Sequence, residues 1–258
     1  MTKCNLSLNP IHYASVSGGK DSFYMLNLIL NNPHKYPLDM VVHFELEIDW
    51  EWAKNVIDLM EDRCTKTGIK FVRIKPRTSW NELYEKYDVP TRTSRWCNNM
   101  YKLDCKKQLN EWIASQNCRP IAYIGLCADE QKRFKYEIGD WKNQDVCYPL
   151  AEEGIYEYEI LSWAKNVDIF NGWYRIFKRQ GCMICPNLTR LEMAYLLKYY
   201  PDKYFDWIDK IEKYESRFDT YFYDKPIAYI HKVICTKWLN QLNTLESYYQ
   251  TDIFDFIE

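Results

Sequence analysis

Residues 11–22 read IHYASVSGGKDS, a short apolar run followed at once by a turn with two adjacent glycines. From Ser22 the pattern changes period. Phe23, Leu26 and Leu30 fall at i, i+3 and i+7, which predicts a helix ended by Asn31-Asn32-Pro33. A buried strand, a glycine turn and a helix in immediate succession commit the chain to an α/β unit. Only 8 of 258 residues are glycine, so an adjacent pair behind a buried strand is costly unless the backbone itself is needed there.

The alternation continues. Met40–Leu46 reads as a second strand, and Asp49 as the N-cap of a helix running to about Thr67, with Trp52, Val56 and Met60 on one face and Gly68 behind its end. Ile69–Ile74 is a third strand, stopped by Pro76. A helix-rich stretch spans Ser79 to Gln116, Pro120–Leu126 is a fourth strand, and Val146–Leu150 a short fifth. Beyond Tyr156 the patterns are helical, including Asn187–Tyr200 and Tyr204–Phe218. The expected fold is α/β, a parallel sheet with helices on both faces. Residues 1–180 form the α/β part, and residues 181–258 form a helical C-terminal part packed on it, without a flexible linker.

In Ser17-Gly18-Gly19-Lys20-Asp21-Ser22, amides of the turn and of the helix N-terminus would form an anion site. Gly18 and Gly19 permit close approach of a phosphate, Lys20 adds a mobile charge, and Ser17 and Ser22 add hydroxyls. This is not a Walker A loop: Ala14 stands where its first glycine is required, and Asp21 follows the lysine. S-G-G-K-D-S resembles the PP-loop of N-type ATP pyrophosphatases, which binds the β,γ-pyrophosphate of ATP while the α–β bond is cut. The resemblance implies an adenine nucleotide alpha hydrolase-like fold, ATP or a related adenine nucleotide as ligand, and Mg²⁺, with Asp21 as the first metal contact.

Three further segments resemble the phosphoadenosine phosphosulfate (PAPS) reductase family. They are Arg95-Trp96-Cys97 with Lys102, Gly125-Leu126-Cys127-Ala128-Asp129-Glu130 with Arg133, and Gly181-Cys182-Met183-Ile184-Cys185. Tyr148-Pro149-Leu150 fits the proline-bearing strand between them, and the agreement covers about Ile11 to Pro186. Cys127 replaces the family's usual Arg, and Gln131 its usual Ser. By this resemblance Lys20, Asp21, Glu130 and Arg133 are the catalytic residues, with Arg133 contacting substrate or phosphate and Glu130 orienting it.

Ten cysteines in 258 residues are too few for a disulfide scaffold. The N-terminus MTKCNLSLNPIHY lacks a charged segment followed by an apolar one, and no apolar run approaches membrane-spanning length. The expectation is a cytoplasmic chain with reduced cysteines and no membrane partner. Cys182 and Cys185 stand at C-x-x-C spacing, with Pro186 favouring a helix start just behind them, and Cys97 and Cys105 complete a four-thiolate set. Such a set accepts an iron–sulfur cluster or zinc, and without metal Cys182–Cys185 would be a redox dithiol. Cluster-bearing relatives in the resembled family use Cys-Cys plus C-x-x-C around a [4Fe-4S] centre. Here Asn98 replaces the second Cys, and Cys105 stands where that family usually has Pro. Cys4, Cys64, Cys118, Cys147 and Cys235 read as buried small hydrophobes, and His43 and His231 as structural.

A net charge of −2 gives no global basic field, so a nucleic-acid partner would need a local patch. Sulfonucleotide reductases of the resembled family carry a Glu-Cys-Gly segment near the C-terminus, whereas this chain ends ESYYQTDIFDFIE and its late cysteine is Cys235. The resemblance therefore favours ATP-dependent adenylation coupled to cluster-dependent sulfur transfer. The acceptor would be a nucleic acid (DNA or tRNA) or a small molecule, with a sulfur-donor protein as partner and a homodimer as a permitted assembly. The alternatives are an adenylylsulfate or PAPS reductase, and a non-catalytic nucleotide-binding module with structural zinc.

Overall fold

The computed structural model describes residues 9–135, 145–170 and 172–248. Cys4 lies outside them. Five strands, β1 (Pro10–Val16), β2 (Met40–Phe44), β3 (Lys70–Ile74), β4 (Arg119–Ile124) and β5 (Val146–Cys147), form one sheet in the order β3-β2-β1-β4-β5. Every pairing is parallel, with Ala14 beside Val41 on one side and beside Tyr123 on the other. The fifth strand is shorter than the sequence suggests. Pro149 has no amide to give a ladder, and it opens the one-turn helix α5 (Pro149–Glu152) instead.

Successive strand residues face opposite layers. Ala14, Val16 and Val41 join the core under α1 (Lys20–Asn31) and α2 (Glu51–Thr67). Tyr13, Met40, Val42 and Ala122 pack on Leu109 and Ile113 of α4 (Leu103–Ser115) across the sheet. Helices thus cover both faces, because a parallel sheet leaves neither face to water. The start of α2 departs from expectation. Trp50 is the N-cap, and Asp49 stands one residue earlier, its carboxylate accepting from the Leu46 amide at 3.4 Å.

Helix α3 (Trp80–Tyr87) begins with a capping box at Ser79 and Glu82. A π-helical turn, Cys97–Lys102, runs directly into α4. After α5 come α6 (Glu157–Ala164), the single turn α7 (Trp173–Ile176), α8 (Arg190–Tyr199), α9 (Pro201–Phe218), α10 (Ile227–Val233) and α11 (Leu239–Tyr248). Tyr195, Trp207, Ile211 and Ile230 of this helical part share one continuous core with α1, α2 and the sheet. Aromatic contacts make the join. Trp50 packs edge-on against Phe177 (5.0 Å) and Tyr195 (5.7 Å), and Trp52 stacks on Trp173 at 5.6 Å and 16°. No helix among the described residues is long and apolar enough to cross a membrane.

Candidate functional site: a phosphate loop and a thiol cluster joined by one strap

The strand order reverses at β1, since β2 lies to one side of it and β4 to the other. In open parallel sheets the crevice at such a switch point, at the carboxyl ends of the strands, is where ligands bind. Ser17–Ser22 occupies that place, leaving β1 and entering α1. Gly18 has φ +77°, and a Cβ on it would stand 2.6 Å from the Ala53 carbonyl oxygen of α2. Only glycine meets both demands. Gly125, at the end of β4, approaches the start of α1 so closely that a Cβ would lie 3.2 Å from the Asp21 carbonyl oxygen. Gly181, by contrast, has open space around its missing side chain.

Ser22 Oγ donates to the Gly19 carbonyl at 2.9 Å and accepts from the Ser17 amide at 3.2 Å, which closes the loop on itself. Lys20 is buried. Its ammonium lies 2.7 Å from Asp21 Oδ1 and 3.4 Å from Glu157 Oε1, at the start of α6. Burial works against the charge on both Lys20 and Asp21. The two carboxylates nevertheless hold Lys20 above its ordinary value, while burial, with Glu157 and Glu130 nearby, outweighs Lys20 and raises Asp21. The loop after β4 closes the site from the other side. Glu130 accepts from the Cys127 amide at 3.1 Å and pairs with Arg133, whose side chain is 64 % exposed. Cys127 Sγ lies 3.8 Å from Asp21 Oδ1, and burial beside that carboxylate raises its pKa. Asp129 accepts from the Glu157 amide at 3.1 Å, tying α6 to this loop.

Sequence reasoning missed Glu157. It lies 137 positions from Lys20, and its local pattern speaks only of a helix start, where Glu159 accepts from the Tyr156 amide. Tyr174 was missed as well: the Lys20 amide, the first of α1, donates to Tyr174 Oη at 2.6 Å.

The thiols divide. Cys97 opens the π-helical turn, a distortion that recurs at functional sites. Cys182 pairs with Asp49 in an antiparallel bridge, and the Met183 amide donates to the Ile48 carbonyl at 2.8 Å. Cys97 and Cys182 each lie in electrostatic range of Cys185, and Cys182 also in range of Cys97. Burial pushes both Cys97 and Cys182 above the ordinary thiol value. The same effect, with no compensating hydrogen bond strong enough, brings Asp49 up to about 7. Cys105 is not brought to the other three. It is fully buried, its thiol donates to the Ile74 carbonyl at 3.4 Å, burial pushes it up to about 11, and its charged neighbours are Asp104 and Lys102.

Pro186 does not begin a helix. Thr189 and Glu192 make the stronger start signal, a reciprocal capping box with bonds of 3.2 and 2.7 Å, so α8 opens at Arg190 and the C-x-x-C lies on irregular chain. The remaining cysteines split too. Cys64 and Cys147 are buried, Cys118 is intermediate, and Cys235 is exposed, 3.7 Å from His231 Nε2. His43 Nδ1 lies 3.1 Å from the Val16 carbonyl oxygen, and His231 Nδ1 lies 3.0 Å from Tyr204 Oη.

Among the described residues no three His, Cys, Asp or Glu side chains stand close enough to hold a single metal ion. Cys97, Cys182 and Cys185 are thus near enough to feel one another's charge without standing as ligands to one ion. Beside them a cavity of about 400 Å³ is lined by Glu47, Trp80, Tyr84, Met183, Ile184 and Lys203, among others.

No protein-family model matches the chain. It is 28% identical over 204 residues to the uncharacterised protein MJ0973 of Methanocaldococcus jannaschii, covering 78% of this chain and 47% of that one. It is 27% identical over 207 residues to the uncharacterised protein MJ0066 of the same organism, covering 78% and 41%. The chain thus spans less than half the length of these curated relatives. Among solved structures, the U34-tRNA thiolase NcsA from Methanococcus maripaludis with its [4Fe-4S] cluster is similar with a TM-score of 0.42 at 18% identity, over 90% of this chain and 74% of that one.

Proposed function

We propose that this chain is a PP-loop enzyme that binds ATP or a related adenine nucleotide, adenylates a substrate with release of pyrophosphate, and couples that step to sulfur transfer at its thiols. One observation carries the reading. A single short strap, residues 173–185, touches the phosphate loop at Tyr174 and bears Cys182 and Cys185 at its other end. Two chemistries joined by so little chain are suited to act on one substrate.

The loop supplies charge stabilisation. Amides of the turn and of the first α1 residues, with the Lys20 ammonium, would meet the negative charge that builds on departing pyrophosphate. Asp21, with Glu130 in range, would offer the one or two carboxylates that Mg²⁺ uses when it arrives with a polyphosphate. Arg133, paired with Glu130 and otherwise exposed, would meet an anionic substrate. Cys97, Cys182 and Cys185 are the residues that would hold a [4Fe-4S] cluster, which when bound supplies a site for sulfur chemistry. With Cys105 elsewhere, protein thiolates would fill three of its four iron positions. The adjacent cavity gives an acceptor, nucleic-acid base or small molecule, room beside the thiols.

The test is anaerobic purification followed by iron, sulfide and zinc analysis, then assay of ATP-dependent pyrophosphate release with candidate acceptors. The expected result is a brown protein that releases pyrophosphate. A colourless, zinc-containing protein that binds ATP without turnover would instead establish a nucleotide-binding module. The sulfonucleotide reductase reading gains one observation, the exposure of Cys235 beside His231. It requires sulfite release that Cys235→Ser abolishes.

A further inference from the structure

The strap lies across the phosphate loop at two points. The Lys20 amide donates to Tyr174 Oη at 2.6 Å, and Tyr174 is only 4 % exposed. Its ring is fixed by edge contacts to Phe170 at 5.2 Å and Trp52 at 6.1 Å. Beside Gly19 the free space is already taken, since a Cβ there would stand 3.1 Å from Gln180 Cβ and 3.5 Å from Tyr174 Oη. Two residues beyond Gln180 the strap is fastened again, by the Asp49–Cys182 bridge. The first amide of a helix N-terminus is a donor that a bound phosphate would use, and a buried donor without an acceptor is costly.

We infer that the Tyr174 hydroxyl is a stand-in acceptor for a phosphate oxygen at the Lys20 amide, and that its displacement by nucleotide moves the strap carrying Cys182. Tyr174 is then a positioning residue. It touches neither reacting phosphorus nor sulfur, and it makes the occupancy of the loop felt at the thiols. Coupling of this kind is reciprocal: whatever shifts the thiol end of the strap changes nucleotide affinity by the same factor. The inference rests on the reading of Ser17–Ser22 as a polyphosphate cradle.

The experiment uses the full chain, anaerobically purified, with inorganic pyrophosphate and ATP as probes. Dissociation constants are measured by calorimetry, and amide exchange of residues 172–185 by mass spectrometry. Tyr174→Phe keeps the ring and removes the competing acceptor. It should tighten pyrophosphate binding about 2–10-fold, the equivalent of one neutral hydrogen bond. In the unaltered protein, pyrophosphate should accelerate exchange along the strap. In Tyr174→Phe the free protein should already exchange as the liganded one does. Tyr36→Phe, which removes a buried hydroxyl bonded to Glu153 at 2.8 Å, is the control and should change neither readout. Equal affinities in Tyr174→Phe and the unaltered protein, or a strap indifferent to pyrophosphate, overturn the inference and leave the cradle reading intact. Weaker binding by Tyr174→Phe also overturns it, because the hydroxyl would then be a ligand contact. Binding of neither probe by either protein overturns the cradle reading itself.

Discussion

The Ser17–Ser22 loop and the set of Cys97, Cys182 and Cys185, the two halves of the proposed site, are built by opposite means. The loop is six consecutive residues whose geometry is set by backbone at Gly18, with φ +77°, and by local bonds of the Ser22 hydroxyl to the Ser17 amide and the Gly19 carbonyl. The thiol cluster gathers Cys97 from a π-helical turn and Cys182 and Cys185 from irregular chain 85 or more positions later, held by one bridge and one amide bond. A site made of backbone tolerates few changes and is readable in one dimension. A site made of side chains on separate segments exists only once the core has formed.

The comparison is most sharply tested at Gly18. Gly18→Ala demands a left-handed alanine whose Cβ collides with the Ala53 carbonyl, so we expect a stability loss of about 2–4 kcal/mol and loss of ATP binding. Chemical denaturation and calorimetry measure the two. Normal nucleotide affinity in this variant would break the claim that the loop is a backbone device.

Cysteine substitutions come next. Cys182→Ser should strip most iron and sulfide from the anaerobic protein. Cys105→Ser should keep both and lose about 1–2 kcal/mol of stability, because its thiol serves the core and the Ile74 carbonyl. Equal metal loss in the two variants would restore the four-thiol set.

A smaller effect is expected at Glu157, whose side chain is 49 % exposed and 3.4 Å from the Lys20 ammonium. Glu157→Gln should free that ammonium for phosphate and tighten ATP binding about 2-fold, an amount suited to a screened pair. Weaker binding would show that the carboxylate serves the nucleotide, through Mg²⁺, more than it restrains the lysine.

The smallest effect concerns pH. Burial holds His43 below its ordinary value of 6.5, and His12 likewise. A buried neutral imidazole binds fewer protons than its unfolded counterpart. Stability is therefore full above pH 6.5 and falls as pH is lowered through it. The slope of denaturation midpoint against pH between 7 and 5 should be shallower in His43→Gln. An unchanged slope would assign the acid sensitivity elsewhere.

The sheet and the loop were legible because periodicity and glycine act locally. β1 to β4 lie within two residues of their expected bounds, and Lys20 opens its helix directly behind Gly19. What escaped was decided by distance. The sequence shows Asp49 as a good helix cap, but in the fold its backbone is engaged by Cys182, 133 positions on, and Trp50 takes the cap. Cys105 has suitable spacing from Cys97, yet the π-helical turn runs into α4 with Cys105 facing the core. Pro186 is a sound helix starter that lost to the capping box three residues later. At Asp49 and Cys105 a local pattern yielded to tertiary packing, and at Pro186 a weaker local signal yielded to a stronger one.

The stacked indoles of Trp52 and Trp173, 5.6 Å apart and 16° from coplanar, lie where α2 meets the strap. Two chromophores at that separation share their excited states, and the sign and size of the resulting ellipticity depend on their mutual angle. The protein therefore carries an unlabelled optical gauge at the junction between α2 and the cysteine-bearing strap, and a near-ultraviolet spectrum recorded during a nucleotide titration reads it directly.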